Sequence, residues 1–127
     1  MVGYIGNIEK LTLANSFFRQ VLFTGAHAQL VVMSLSPEEE IGTEVHTNVD
    51  QFFRIEGGQG KVILNGEERS VADGDAIVVP AGVEHNLINV SAKQPLKLYT
   101  IYSPAEHRDG IVHKTKAEAM ADEDDHL

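Results

Sequence analysis

Apolar and polar residues alternate along most of this chain, and this period of two constrains the fold more than any other feature. The pattern predicts strands over 17–23, 28–35, 51–55, 61–64, 76–79, 85–90 and 96–102. Turn signals separate them: Ser36-Pro37, Gly57-Gly58-Gln59-Gly60, Asn65-Gly66, Asp73-Gly74-Asp75 and Pro80-Ala81-Gly82. Asn65-Gly66 is the strongest, because a type I′ hairpin turn needs positive φ at both central residues. Many short strands at roughly ten-residue spacing imply an all-β, antiparallel sandwich or barrel. The one good helix signal comes late, where Thr115 and Glu118 match a capping box ahead of the Ala-rich stretch 116–121.

A length of 127 residues fits one domain. We expect a single domain over 1–127, with a barrel core of about 12–103 and a C-terminal extension over 104–127. There is no cysteine, which excludes disulfides, thiol catalysis and thiolate metal sites. The longest apolar stretch, 76–83, is too short to span a bilayer. No basic start precedes an apolar run at the N-terminus, so no signal peptide and a cytoplasmic location are expected. The formal charge of −9 argues against nucleic acid as a partner, since phosphate must be neutralised by Lys and Arg. Five acids and no Lys or Arg fall within 117–127, leaving only −4 on the first 116 residues. The acidic end is therefore expected to be a solvated tail, mobile beyond about Ala119.

The most informative stretch is 74–89. It reads as a turn, a strand, a rigid Pro-x-Gly corner, and a second strand opening on His85. Proline fixes φ and glycine permits positive φ, so such a corner holds the following histidine in one orientation. His85, Leu87 and Asn89 share a strand face, which implies a partly polar barrel interior.

This stretch resembles the second motif of the cupin superfamily, Gly-x5-Pro-x-Gly-x2-His-x3-Asn. Gly74, Pro80, Gly82, His85 and Asn89 match every fixed position. The first cupin motif, His-x-His-x3–4-Glu-x6-Gly, aligns with 44–58 and is half matched. Counting back from Gly58 puts Gln51 at its glutamate position; counting from Gly57 puts Asp50 there. Gln51 is in phase with Phe53 and Ile55 and so points inward, whereas Asp50 is in phase with Arg54 and Glu56 and points out, as does Phe52. His46 then takes the second histidine position and Glu44 the first.

The resemblance implies an antiparallel double-stranded β-helix, or jelly roll, with a metal site of Glu44, His46, Gln51 and His85. Two imidazoles and one carboxylate make a set familiar from non-haem iron(II) sites, with the carboxylate moved to the first histidine position. Gln51 would supply a neutral amide oxygen to the ion or only a hydrogen bond beside it. One divalent transition metal ion is implied, with Fe, Mn, Ni, Zn and Cu undistinguished. The resemblance also implies a homodimer, with Phe52 on the outer face as a contact. The function it points to is a small metal-dependent enzyme acting on a small organic substrate; the alternative is a non-catalytic module that binds or senses a small ligand.

Other polar residues have plainer readings. His27 and Asn48 read as loop residues, Arg54 as a surface ion-pair partner, and Asn89 as a turn residue satisfying backbone. His107, His113 and His126 lie past the last predicted strand, and only His113 is considered for folding back over the barrel mouth. Tyr99 and Tyr102 have opposite phases, so at most one lines the interior. No Gly-x-Ser-x-Gly, Walker A or GxGxxG stretch in a strand-to-helix setting is present.

Overall fold

The structure is a computed structural model that describes residues 2–127. Nine strands follow a short helix: α1 (Ile8–Ala14), β1 (Arg19–Thr24), β2 (Gln29–Leu35), β3 (Asp50–Gly57), β4 (Gln59–Leu64), β5 (Glu67–Ala72), β6 (Ala76–Val79), β7 (His85–Asn89), β8 (Leu96–Ser103) and β9 (Val112–His113). A second helix, α2 (Lys116–Ala121), comes after them. The strands form a six-stranded sheet, in the order β6-β3-β8-β2-β1-β9, and a three-stranded sheet, β5-β4-β7. Every ladder is antiparallel. This is the expected jelly roll with a short C-terminal helix.

Alternation builds the core. Along β3, Gln51, Phe53 and Ile55 are buried, while Asp50 is exposed and Phe52 and Arg54 are half-buried. Phe53 and Ile55 join Met33, Leu35, Leu87 and Leu98 between the sheets. Phe52 lies in the opposite phase and packs on Tyr99, ring centroids 6.1 Å apart. Register aligns inward positions into rows across the large sheet. Val79, Gln51, Tyr102 and Gln29 form one row, and Ile77, Phe53, Thr100 and Val31 the next. Polar inward residues thus gather at one end of the barrel and apolar ones fill the other.

The turns behave as their sequences dictate. Asn65 and Gly66 both have positive φ, 46° and 83°, in the β4–β5 hairpin. Asn89 donates to the carbonyls of Leu35, Ser36 and Gln94 and accepts from the Ser91 N–H, so it closes turns as expected.

Three elements differ from expectation. β5 carries the sequence EERSVA, of which only Val71 is buried. An edge strand with one solvent-facing side and few apolar residues gives no alternation to read. Helix α1 arises from local capping: the Asn7 side chain accepts from Lys10 N–H, and Thr12 Oγ1 donates to the Ile8 carbonyl at 2.6 Å. β9 is only two residues long and exists by pairing with Arg19 and Gln20.

The largest correction concerns the tail. Helix α2 is capped by Thr115, whose side chain accepts from Glu118 N–H at 3.2 Å, as the capping motif implies. Beyond it the chain does not run into solvent. Asp125 is 0% exposed, the Leu127 N–H donates to Glu106 O, and His126 pairs across to His107. The acids that read as a solvated run include one that meets a buried arginine and a buried imidazole inside the fold.

Candidate metal centre

Backbone pairing brings the first two candidate residues together. Glu44 and His85 exchange both N–H···O bonds at 2.9 Å, so their side chains leave adjacent strands side by side. The corner before β7 is tied to the same place, because Gly82 (φ 85°) donates its N–H to the His46 carbonyl at 2.8 Å. The proline–glycine turn thus positions His85 directly and His46 through one hydrogen bond. Gln51 arrives from β3, across the barrel.

Glu44, His46 and His85 each place one donor atom within 4.8 Å of the others. The His46 and His85 ring centroids are 5.2 Å apart. His85 Nδ1 lies 2.9 Å from the Val83 carbonyl. A carbonyl only accepts, so Nδ1 carries a proton, and in the neutral ring this leaves Nε2 as the ligating nitrogen. Gln51 donates from Nε2 to Thr100 Oγ1 at 3.0 Å, which turns its Oε1 to 3.2 Å from His85 Nε2. Gln51 Oε1 and His85 Nε2 lie close enough to share one cation.

His46 repeats the theme. Glu44 Oε2 lies 2.9 Å from His46 Nε2, yet the angle is not that of a hydrogen bond, and this buried nitrogen has no hydrogen-bond partner. The other ring nitrogen, Nδ1, lies 3.5 Å from Glu106 Oε1. An orphaned buried nitrogen beside a carboxylate, an imidazole and an amide oxygen fits a cation with an N₂O₂ donor set. Burial pushes the Glu44 carboxyl up, but the neighbouring His46, with smaller help from Arg19 and His85, outweighs it and holds the group below the ordinary carboxylate range. Burial likewise pushes His46 down, while Glu44 and then Glu106 outweigh it and raise it. The same pairing keeps Glu44 ionised and favours a proton on His46, which an entering cation would have to displace.

All four residues implied by the resemblance thus meet inside the barrel, and Asp50 does not. Asp50 is exposed and accepts from the Ala81 N–H at 2.8 Å, so it braces the corner from outside. Sequence reasoning missed a second buried polar layer behind the site. Tyr102, 2% exposed, sets its ring edge-on to His46 at 6.0 Å and lies 3.1 Å through its hydroxyl from His107 Nε2. His107 Nδ1 is 2.9 Å from both Asp125 oxygens. Arg19 Nη1 lies 3.5 Å from Asp125 and 3.4 Å from His113 Nδ1, and His113 Nε2 is 3.0 Å from Asp122. His113 does fold back, and so do His107 and His126. The sequence pointed to this layer only through His113, considered for folding back, and through the opposite phases of Tyr99 and Tyr102.

Two clefts reach the donors on either side of the docked tail. One, of about 290 Å³, is bordered by Glu44, Arg19 and His126. The other, of about 350 Å³, is bordered by His46, Glu106 and Leu127. No helix among the described residues is long and apolar enough to cross a membrane.

Comparison with known proteins agrees with the jelly-roll fold. The Cupin domain family matches residues 31–102. The uncharacterized protein YrkC of Bacillus subtilis is 50% identical over 127 residues, covering 95% of this chain and 68% of its own. The uncharacterized protein L612 of Acanthamoeba polyphaga mimivirus is 45% identical over 113 residues, covering 86% and 70%. The crystal structure of BH2720 from Bacillus halodurans superposes with a TM-score of 0.91 at 44% identity, covering 94% of each chain. With the family match running from β2 through β8, and with both His46 and His85 inside it, this chain belongs to the cupin family.

Proposed function

We propose that this cupin holds one divalent transition metal ion through Glu44, His46, Gln51 and His85 and is a small metal-dependent enzyme acting on a small organic molecule. The observation that carries the reading is the buried His46 Nε2 without a hydrogen-bond partner, 2.9 Å from an ionised carboxylate and set among two further donors. A bound ion would supply Lewis-acid polarisation of a coordinated substrate oxygen.

The residues of this chain do the rest. Val83 and Gln51 orient His85, and Glu106 faces the outer nitrogen of His46; such partners fix tautomer and ring angle. Thr100 hydrogen-bonds the Gln51 amide and fixes its place beside the site. The apolar row behind, with Phe53 edge-on to His85 at 6.4 Å, limits water on that side. The two clefts give a small molecule access from the mouth. For the assembly we propose a homodimer, supported by the Phe52–Tyr99 pair on the outer sheet face.

Metal analysis of protein purified without a histidine tag tests the reading. Near-stoichiometric uptake from Fe, Mn, Ni, Zn or Cu is expected, and His85→Ala should lose most of it. Full-length, folded protein that takes up none of the five would refute the proposal.

A further inference from the structure

Arg19 is a buried cation that the metal reading does not use. It leaves β1 at a position 5% exposed, and its guanidinium stacks over the Phe18 ring at 5.2 Å. Its hydrogen-bond contacts, at 3.4 Å to His113 and 3.5 Å to Asp125, both come from Nη1 and both are long. Nε is sealed from solvent with no partner. Asp125 is in turn shared with His107, whose contacts to it are shorter, 2.9 Å. A fully charged fork with five donors is thus poorly satisfied by the protein. Leaving such a group buried is costly unless something else completes it.

Arg19 also borders the 290 Å³ cleft in which Glu44 is a wall. It is close enough that its charge acts on both Glu44 and His46. The remaining walls are mixed. Phe18, Ile41 and Met120 are apolar; Lys116 adds a positive charge, and Asp122 and Glu123 add negative ones. Asp122 is engaged with His113. Without an ion the cleft carries a net negative charge, from Glu44, Asp122 and Glu123 against Arg19 and Lys116. A divalent ion beside Glu44 reverses that sign.

The geometry points to Arg19 as the carboxylate anchor of a small organic acid whose second oxygen reaches the metal beside Glu44. The inference rests on the metal reading above and names the substrate class for that site. A planar carboxylate matches the guanidinium fork, and a short apolar tail matches Phe18 and Ile41.

The test uses nickel-loaded full-length protein and two probes of equal shape, 2-oxobutanoate and neutral 2-oxobutanamide, followed by calorimetry. The acid should bind more tightly than the amide by roughly 10- to 100-fold, the range of a charge-assisted pair. Arg19→Gln should erase that preference while nickel content stays at the wild-type level. Arg19 also faces Asp125, so a second variant guards against misfolding. Met120 is 75% exposed on the cleft rim, and Met120→Glu should weaken the acid and spare the amide. Protein that takes up no nickel overturns the metal reading and this inference together. Protein that takes up nickel but binds both probes alike, or keeps its preference in both variants, overturns the assignment of Arg19 alone.

Discussion

His107 holds Asp125 through a single ring nitrogen, with Nδ1 2.9 Å from each carboxylate oxygen, and so anchors the end of the chain inside the barrel mouth. The pair is 18 residues apart in sequence, and the side chains are 2% and 1% exposed. Asp125→Ala would leave Arg19 and His107 buried without their acceptor. Breaking a buried charged pair from one side costs roughly 3–5 kcal/mol. We predict a melting temperature lower by at least several degrees, and a similar fall on deleting 121–127. Calorimetric melts identical to wild type would show that the tail is dispensable.

The same histidine makes stability depend on pH. Burial pushes His107 down, Arg19 adds to the effect, Asp125 opposes it and His126 adds slightly; the imidazole ends at about 4 against an ordinary 6.5. The unfolded chain therefore binds this proton from about pH 6.5 downward, and the folded protein does not until about pH 4. Above 6.5 His107 contributes no pH dependence. Between 6.5 and 4 stability falls with falling pH, by up to ~3 kcal/mol from this group. His107→Gln should flatten the slope of unfolding free energy between pH 6.5 and 5, measured by urea titration. An unchanged slope would mean the imidazole is charged in the fold.

Gly58 joins β3 to β4 with φ at 97°, and a Cβ there would sit 2.5 Å from the Pro95 carbonyl oxygen. Gly66, in the hairpin, has φ 83° but open space around it. Positive φ costs an alanine roughly 1–2 kcal/mol at either site. The clash with backbone adds to it only at Gly58. Gly58→Ala should therefore destabilise clearly more than Gly66→Ala in parallel denaturant titrations. Equal effects would mean the loop at Pro95 yields freely.

What could be read from the sequence was local. The inward phase of Gln51 follows from Phe53 and Ile55 two and four residues on, and the aim of His85 from Pro80 and Gly82 just before it. Period and turn chemistry act over such distances and point to an antiparallel sandwich or barrel; the jelly roll and the four-residue cluster follow from the resemblance of 44–58 and 74–89 to the cupin motifs. The second polar layer could be read from neither. Arg19 and Asp125 are 106 positions apart, and nothing in an acidic, Ala-rich ending marks one aspartate as the partner of a distant arginine. Five acids in eleven residues read as solvation because composition averages over residues that the fold treats differently. β5 escaped notice for a related reason, since Val71 alone of its six residues faces the core.

The ligand register gives the sharpest test of the metal site. Gln51 Oε1 sits 3.2 Å from His85 Nε2, whereas Asp50 points outward and accepts from Ala81 N–H. Gln51→Glu would replace a neutral donor by a carboxylate at the same reach. Added ligand charge tightens divalent ion binding, so affinity should rise by about tenfold or more. In metal-free protein the new carboxylate lies near Glu44, so the same variant should melt at a lower temperature until metal is supplied. Asp50→Asn can still accept the Ala81 hydrogen bond through its amide oxygen and should leave metal affinity unchanged. Competition against a chromogenic chelator reads all three proteins on one scale. If Asp50→Asn weakened binding while Gln51→Glu did nothing, β3 would have to present its other face to the ion. A one-residue slip of that kind turns every side chain of the strand over. It would carry Phe53 and Ile55 out of the core, so core burial and ligand register stand or fall on the same measurement.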